Sequence, residues 1–297
     1  MDRHHDMQVF AALSGQTSLA AAARRLQVSG PTVIRAIARL EARLKTTLLE
    51  RSTRGIRLTE AGTTFMADCL RLLDAVEQAE ASAKGLHMQA RGRLSVLFPL
   101  LFSRHVMAPV LGAYLQAYPE VRLSAHYHDR YPNMNEEGLD VAVLIGDLPG
   151  SSWVARPVGH VRTLVCASPE YLARYGVPQQ PADIRQHRLV AIQAYPEWVQ
   201  WAFRDETVKA RARLNCATVQ GAISAAVHGA GLVRCLNYPV HDNLRDGQLQ
   251  RVLHAHEPPP LPVQVVYREG RRASMRVRSF VDFTVAALRE HPAFQLA

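Results

Sequence analysis

Apolar residues recur at helical spacing through the first sixty positions. Met7, Phe10 and Leu13 predict a first helix, which Gly15 ends. Thr17 or Ser18 can cap a second, Leu19 to Leu26, whose Ala20-Ala21-Ala22-Ala23 run favours helix and permits close packing. Gln27-Val28 reads as a tight turn. Ser29 then caps a third helix with Pro31 in its first turn, where the missing N–H costs nothing. Val33, Ile37, Leu40 and Leu44 form one apolar stripe on it, and Thr32, Arg35, Arg39 and Arg43 point the other way. Two short strands, Thr47 to Glu50 and Ile56 to Leu58, flank Ser52-Thr53-Arg54-Gly55. Two helices joined by a turn and followed by a basic hairpin predict a winged helix-turn-helix over residues 1–58.

Thr59 can cap a long helix reaching Gln89. Its apolar or small positions are Phe65, Cys69, Leu72, Val76, Ala79, Ala83 and Leu86, separated alternately by four and three residues. This heptad seam is narrower than the face of a globular core helix, so residues 59–90 read as a linker that pairs with a second copy. The alternative is a helix packed on its own domain.

After Arg91-Gly92-Arg93 the periodicity changes. Leu94 to Phe98 reads as a buried strand, 99–103 as a turn, and a helix follows to Tyr118. Strands are predicted at Val121 to Tyr127, Leu139 to Ile145, Leu164 to Ala167, Leu189 to Ile192, Lys209 to Asn215 and Val263 to Tyr267. Helices are predicted from Pro169 to Tyr175, Val219 to His228 and Met275 to Leu288, with Gly229-Ala230-Gly231 ending the second. The alternation predicts an α/β body with largely parallel sheets over 91–297. The fold class is therefore α/β with a helix-rich head.

Charge sharpens this picture. Residues 1–58 carry ten Lys or Arg against four Asp or Glu, a net of +6 out of the chain's +9. A basic head on a nearly neutral body suits a polyanionic partner. No apolar run reaches the ~18 residues of a membrane helix, and Met-Asp-Arg-His-His-Asp lacks a signal peptide's apolar core. The four cysteines, Cys69, Cys166, Cys216 and Cys235, show no CxxC spacing, so a reducing cytoplasm is expected rather than a disulfide framework.

Specific runs carry a resemblance. Ala21-Ala22-Ala23-Arg24-Arg25-Leu26, Val28-Ser29-x-Pro31-x-Val33-x-Arg35-x-Ile37-x-x-Leu40-Glu41, Leu48-Leu49-x-Arg51 and Leu58-Thr59-x-Ala61-Gly62 closely resemble the DNA-binding head of the LysR-type bacterial transcription regulators. Tyr118-Pro119-x-Val121, Glu137-Gly138-x-Asp140-Val141-Ala142-Val143 and Cys166-Ala167-Ser168-Pro169-x-Tyr171-Leu172 extend the likeness through the body. Three positions depart from the usual pattern. Gly30 stands where Gln is common, Ile34 where Ser or Thr is common, and Lys45 where Gly is common.

The resemblance implies a sequence-specific DNA-binding regulator of transcription, with promoter binding modulated by a small effector. The implied partners are an interrupted inverted repeat in duplex DNA, a second copy in a homodimer that commonly pairs into a homotetramer, and RNA polymerase. No membrane and no cofactor are expected. The body is expected to resemble periplasmic binding proteins, with subdomain I at 91–161 and 268–297 and subdomain II at 162–267.

Candidate residues follow. Arginine pairs bidentately with guanine edges and a Thr methyl meets that of thymine, which points to Ser29, Gly30, Thr32 and Arg35 for bases. Arg39 and Arg43 are expected nearer phosphates, and Arg51 and Arg54 in the wing. The effector-facing positions implied by the resemblance are Pro99, Leu100, Leu101, Phe102, Ser103, Gly146, Asp147, Gln193, Tyr195, Thr218 and Gln220. Apolar bulk at 100–102 suggests an aromatic or medium-sized organic acid with substantial apolar surface, or no effector at all, and Ser103 can cap the helix that follows. His126-Tyr127-His128-Asp129 and His254-Ala255-His256-Glu257 look like metal seeds without an identifiable third ligand, so no metal is expected. No nucleophile elbow, phosphate-binding loop or dinucleotide fingerprint is present, so no catalytic residue is assigned. The competing class is a ligand-binding or catalytic α/β protein whose head merely dimerises.

Overall fold

The computed structural model describes residues 2–14, 18–52, 55–83, 90–134, 136–148, 153–192, 198–268 and 273–295. The chain divides into two compact units, 1–93 with 135–138, and 94–134 with 139–297.

The head is built from α1 (Arg3–Ala11), α2 (Leu19–Leu26), α3 (Gly30–Leu44), the hairpin β1 (Leu49–Ser52) and β2 (Gly55–Leu58), and α4 (Glu60–Ala83). Side chains cap each of these helices. The Asp2 carboxylate accepts from His4 and His5 N–H, Ser18 Oγ from Ala21 N–H and Ser29 Oγ from Thr32 N–H. Gln27 and Lys45 end α2 and α3 in the left-handed region, at φ 55° and 53°. Both are side-chain-bearing residues where glycine is the usual solution.

The hairpin begins two residues later than the pattern predicts. The Glu41 carboxylate accepts from Leu48 N–H at 2.7 Å and Leu49 N–H at 3.2 Å, which holds 47–48 as a loop. Thr59 Oγ1 accepts from Gly62 N–H at 2.9 Å and donates to the Thr47 carbonyl at 2.8 Å, tying the start of α4 to that loop. Gly62 is required here, since a Cβ would sit 2.0 Å from the Leu48 carbonyl oxygen. Val9, Phe10, Val33, Ile37, Leu40, Leu48 and Met66 form the head core, as the α3 stripe predicts, but Leu44 is exposed.

The body opens with β3 (Gly92–Phe98), a π-helical turn (Ser103–Met107), α5 (Ala108–Ala117), β4 (Val121–Tyr127), β5 (Val141–Ile145) and β6 (Val154–Val161). It continues through β7 (Thr163–Ala167), α6 (Pro169–Tyr175), β8 (Leu189–Ile192), β9 (Trp198–Ala202), β10 (Thr207–Cys216), α7 (Val219–Val227), β11 (Leu232–Leu236), α8 (His241–Arg245) and β12 (Gln250–Val252). β13 (Leu261–Tyr267), α9 (Met275–Glu290) and α10 (Pro292–Gln295) close it. One sheet has the order β4-β3-β5-β13-β6 and the other β12-β7-β11-β8-β10-β9.

Two expectations are corrected by this topology. The sheets are mixed rather than largely parallel. β3–β5, β8–β10 and β8–β11 run parallel, while β13 pairs antiparallel with β5 and β6, β7 with β11 and β12, and β9 with β10. The second crossover also comes earlier than residue 268. Leu261–Tyr267 pairs with the first sheet from Leu261↔Val161 to Tyr267↔Val154, so the return lies before Leu261.

Both faces of the second sheet are buried. Cys166, Val190, Val233 and Cys235 pack under Ala222, Ile223 and Ala226 of α7. Val165, Leu189 and Leu232 face Tyr171, Leu172, Ile184 and the β9–β10 hairpin. That hairpin folds back over the sheet, with Arg204 N–H donating to the His256 carbonyl at 2.9 Å. Buried central strands of this kind read as continuous apolar runs such as Leu-Val-Cys-Ala.

Candidate nucleic-acid interface and ligand cavity

On the head, α3 presents an outward face opposite its buried stripe. Arg35 and Arg43 are exposed and form no hydrogen bond or ion pair among the described residues. Ile34, 41% exposed, lies between Val33 and Arg35 on that face, an apolar group able to meet a thymine methyl. Ser29 and Thr32 share a hydroxyl–hydroxyl hydrogen bond of 2.8 Å, so their oxygens are engaged and the Thr32 methyl is what remains to offer. A Cβ built on Gly30 meets nothing within 4 Å, which leaves the backbone at the start of α3 uncovered.

Arg39, expected near phosphates, is engaged within the head. Its guanidinium grips the Asp6 carboxylate through Nε and Nη2, and Asp6 is buried on α1. The hydrogen bond to Asp6 raises the Arg39 pKa against the opposing effect of burial. Arg39 therefore bridges α1 and α3. Arg54 and the side chain of Arg51 lie outside the described residues.

The α4 seam divides in two. Cys69 is fully buried in the head core, and the partly buried Phe65 packs on Phe10 at 5.6 Å between ring centroids, so both are engaged within the head. Burial pushes the Cys69 thiol up to about 11. Leu72 and Val76, one and two turns further on, are 54% and 40% exposed. The side chains of Ala79 and Ala83 and residue Leu86 lie outside the described residues.

The body holds a cavity of about 350 Å³. Pro99, Leu101, His128 to Tyr131 and Val143 to Ile145 line one wall; Thr163, Ile192, Val219, Arg234 to Leu236, Tyr238 and Pro239 line the other. It lies at the carboxyl ends of the parallel strands β3, β5, β8 and β11, where α/β sheets place ligands.

Of the effector-facing candidates, Pro99 and Leu101 line this cavity. Phe102 does not. It is fully buried, edge-on to Tyr238 at 4.7 Å and 5.5 Å from Phe294. Leu100 is half exposed, with its N–H held by Asp129 Oδ1 at 2.9 Å. Ser103 does not cap the helix, because its hydroxyl turns back to donate to the Leu100 carbonyl at 3.1 Å. Gly146 donates to the Pro262 carbonyl at 2.9 Å, and the Asp147 carbonyl accepts from the Tyr131 hydroxyl. Thr218 Oγ1 caps α7 through Gly221 N–H and Gln220 is exposed, so Val219 supplies the wall there. Gln193 and Tyr195 lie outside the described residues.

Sequence reasoning missed Thr163, Arg234 and Tyr238, and read His128 and Asp129 only as a metal seed. Among the described residues no group of three or more His, Cys, Asp or Glu is placed to hold a metal. Burial lowers the Arg234 pKa, and burial together with the charge of Asp129 raises that of Tyr238. A hydrogen bond with Cys166 and burial push the Cys235 thiol up, so it stands protonated in the wall.

The chain was compared with known proteins. Residues 4–63 match the family profile described as "Bacterial regulatory helix-turn-helix protein, lysR family", and residues 87–289 match "LysR substrate binding domain". An HTH-type transcriptional regulator of Xanthomonas campestris is 33% identical over 99% of this chain and 88% of its own length. An HTH-type transcriptional repressor of Pseudomonas aeruginosa is 30% identical over all of this chain and 95% of its own. Among solved structures, CrgA of Neisseria meningitidis, described as a LysR-type transcriptional regulator, aligns with a TM-score of 0.61 at 29% identity, covering 96% of this chain and 98% of that one. The AphB virulence activator of Vibrio cholerae aligns at 0.60 and 26% identity over 95% of this chain and 98% of its own. An exposed recognition helix on a winged head, a cavity between two α/β lobes, and matches that run through both domains give one conclusion: this chain belongs to the LysR family, and it is a DNA-binding transcriptional regulator with an effector-binding domain, not an enzyme.

Proposed function

We propose that the chain acts in the cytoplasm as a homodimer, or a pair of homodimers, on an interrupted inverted repeat in a promoter. A small molecule in the cavity of the body sets its occupancy there. The observation that carries this reading is Arg35, exposed and unpaired on a helix whose other face is locked into the head core. A two-fold protein reads a two-fold site, and one recognition helix entering each major groove supplies base contacts on both half-sites. Exposed Leu72 and Val76 on α4 offer the surface that brings two heads together. The cavity's size falls within the ~300–1,000 Å³ usual for small-molecule sites.

The test is a gel-shift titration on the promoter of the chain's own gene or its neighbour. Wild type should shift a fragment holding two half-sites as a complex of at least two chains. Arg35→Ala should lose roughly 1–3 kcal/mol on it and discriminate less between it and scrambled DNA. Equal affinity of both proteins for the specific fragment would overturn the placement of α3 in the groove.

A further inference from the structure

We propose that the cavity of the body takes a monoanionic organic acid, its carboxylate seated on the guanidinium of Arg234 and its apolar part against Leu101, Ile192 and Leu236. This rests on the reading of that cavity as the effector site and names the chemistry of its occupant.

Arg234 sits near the end of β11 and lines the cavity. Its Nη2–H donates to the carbonyl of Ala202 at 3.0 Å. No carboxylate forms an ion pair with it among the described residues. A guanidinium carries five N–H donors and keeps its charge even when buried. A half-buried cation neutralised only by a carbonyl dipole is costly, and an anionic ligand removes that cost. The lowered proton affinity that burial imposes on Arg234 reports the same deficit.

Tyr238 lines the same wall at 4% exposure, and burial keeps its phenol protonated. It can donate to a ligand oxygen. Asp129 disfavours a second negative charge beside Tyr238. Its Oδ1 accepts from Leu100 N–H in the facing wall, and it is close enough to Tyr238 to influence that hydroxyl. A second carboxylate on the ligand would meet this negative charge. Leu101, Ile192 and Leu236 offer no polar side-chain group, so the part of the ligand that lies against them is apolar. The anion site is therefore on β11 rather than at the 99–103 turn, where Ser103 and Leu100 are already engaged.

The experiment is calorimetry on the full-length protein with isosteric pairs, benzoate against benzamide and hexanoate against hexanamide, and with succinate as the dianion. Wild type should bind at least one acid roughly 10- to 100-fold more tightly than its amide, the value of one charged hydrogen-bonded pair, and should bind succinate more weakly than that acid. Arg234→Gln should abolish the acid preference, and Arg234→Lys should keep part of it. Equal binding of acid and amide by wild type overturns the anion site and leaves the effector cavity standing. An acid preference that survives in folded Arg234→Gln overturns the role of Arg234 alone. If Arg234→Gln does not fold, an acid preference undiminished in Arg234→Lys overturns the role of the Arg234 guanidinium. Failure of every probe to bind at millimolar concentration, or binding untouched by the cavity-filling Leu101→Trp, overturns the cavity reading and the anion site together.

Discussion

Arg39 and Arg43 stand four residues apart on α3, yet their surroundings give them different roles. Arg39 holds the buried Asp6 carboxylate and so belongs to the packing of α1 on α3, whereas Arg43 is exposed and has no ion-pair partner among the described residues. Arg39→Gln should lower the melting temperature and leave the salt slope of DNA binding unchanged, because a phosphate contact contributes about 0.9 to that slope and the Arg39 guanidinium is engaged with Asp6. Arg43→Gln should do the reverse, flattening the slope by about that amount at unchanged melting temperature. Titrations at several salt concentrations beside thermal melts separate the two. Lys45 offers a second case. It holds φ 53° at the end of α3, a conformation that costs an L-residue about 1 kcal/mol. Lys45→Gly should raise the free energy of unfolding by somewhat less than that, since glycine also gains freedom in the unfolded chain. A urea titration that shows lower stability would mean the Lys45 side chain contributes more than the turn costs. The Lys45 effect is signalled in the sequence by Lys standing where Gly is common, but the Arg39 effect is not. The pattern Arg35, Arg39, Arg43 shows one polar face, but only the fold places Asp6, thirty-three positions earlier than Arg39, against the middle of it.

At the scale of elements, α4 shows why a repeat in sequence can serve two surfaces. The spacing of Phe65, Cys69, Leu72 and Val76 is continuous, but the partner changes along it. The first turns place Met66 and Cys69 in the head core and Phe65 against Phe10, and the helix then runs on with Leu72 and Val76 uncovered. A seam suits self-association and core packing equally on periodicity, and only burial tells them apart. Leu72→Glu with Val76→Glu should yield monomers by light scattering and abolish binding to a two-half-site fragment, without unfolding the head. Cys69 should behave as core, its raised pKa and full burial leaving it unreactive to a thiol reagent near neutral pH until the head is unfolded. Rapid labelling of Cys69 in the native protein would return it to the seam. The strands that the pattern leaves unread have local reasons too. β6 contains Pro157 and Gly159, which the sheet tolerates because β6 is an edge strand. β11 is five residues long and follows Gly231, where a Cβ would fall 2.1 Å from the Arg188 carbonyl oxygen, so a glycine that looks like the end of a helix is also a close approach of two strands. Missing β11 is what hid Arg234.

For the whole molecule, one chain carries a DNA-reading helix in one compact unit and a ligand cavity in the other. The division into a basic head and an α/β body is legible from charge and periodicity. The cavity's composition is not, because its walls come from strand ends far apart in the chain, Pro99 beside β3, Ile192 at the end of β8 and Leu236 at the end of β11. Regulation requires that the two sites share a free energy, and thermodynamic linkage fixes the form it takes. If an effector changes operator affinity by some factor, operator DNA changes effector affinity by the same factor. For couplings of the usual ~1–3 kcal/mol this is ~5- to 150-fold in each direction. Calorimetry of an acid that binds the free protein should therefore give a dissociation constant that moves, on saturation with operator DNA, by the same ratio that the acid produces in a gel-shift titration. Leu101→Trp should remove both shifts together and leave ligand-free operator affinity unchanged, since it alters the cavity and not α3. An acid that binds the cavity yet shows a coupling factor of one in both directions would be an occupant of the site without being its regulator, and the molecule's signal would then have to enter elsewhere.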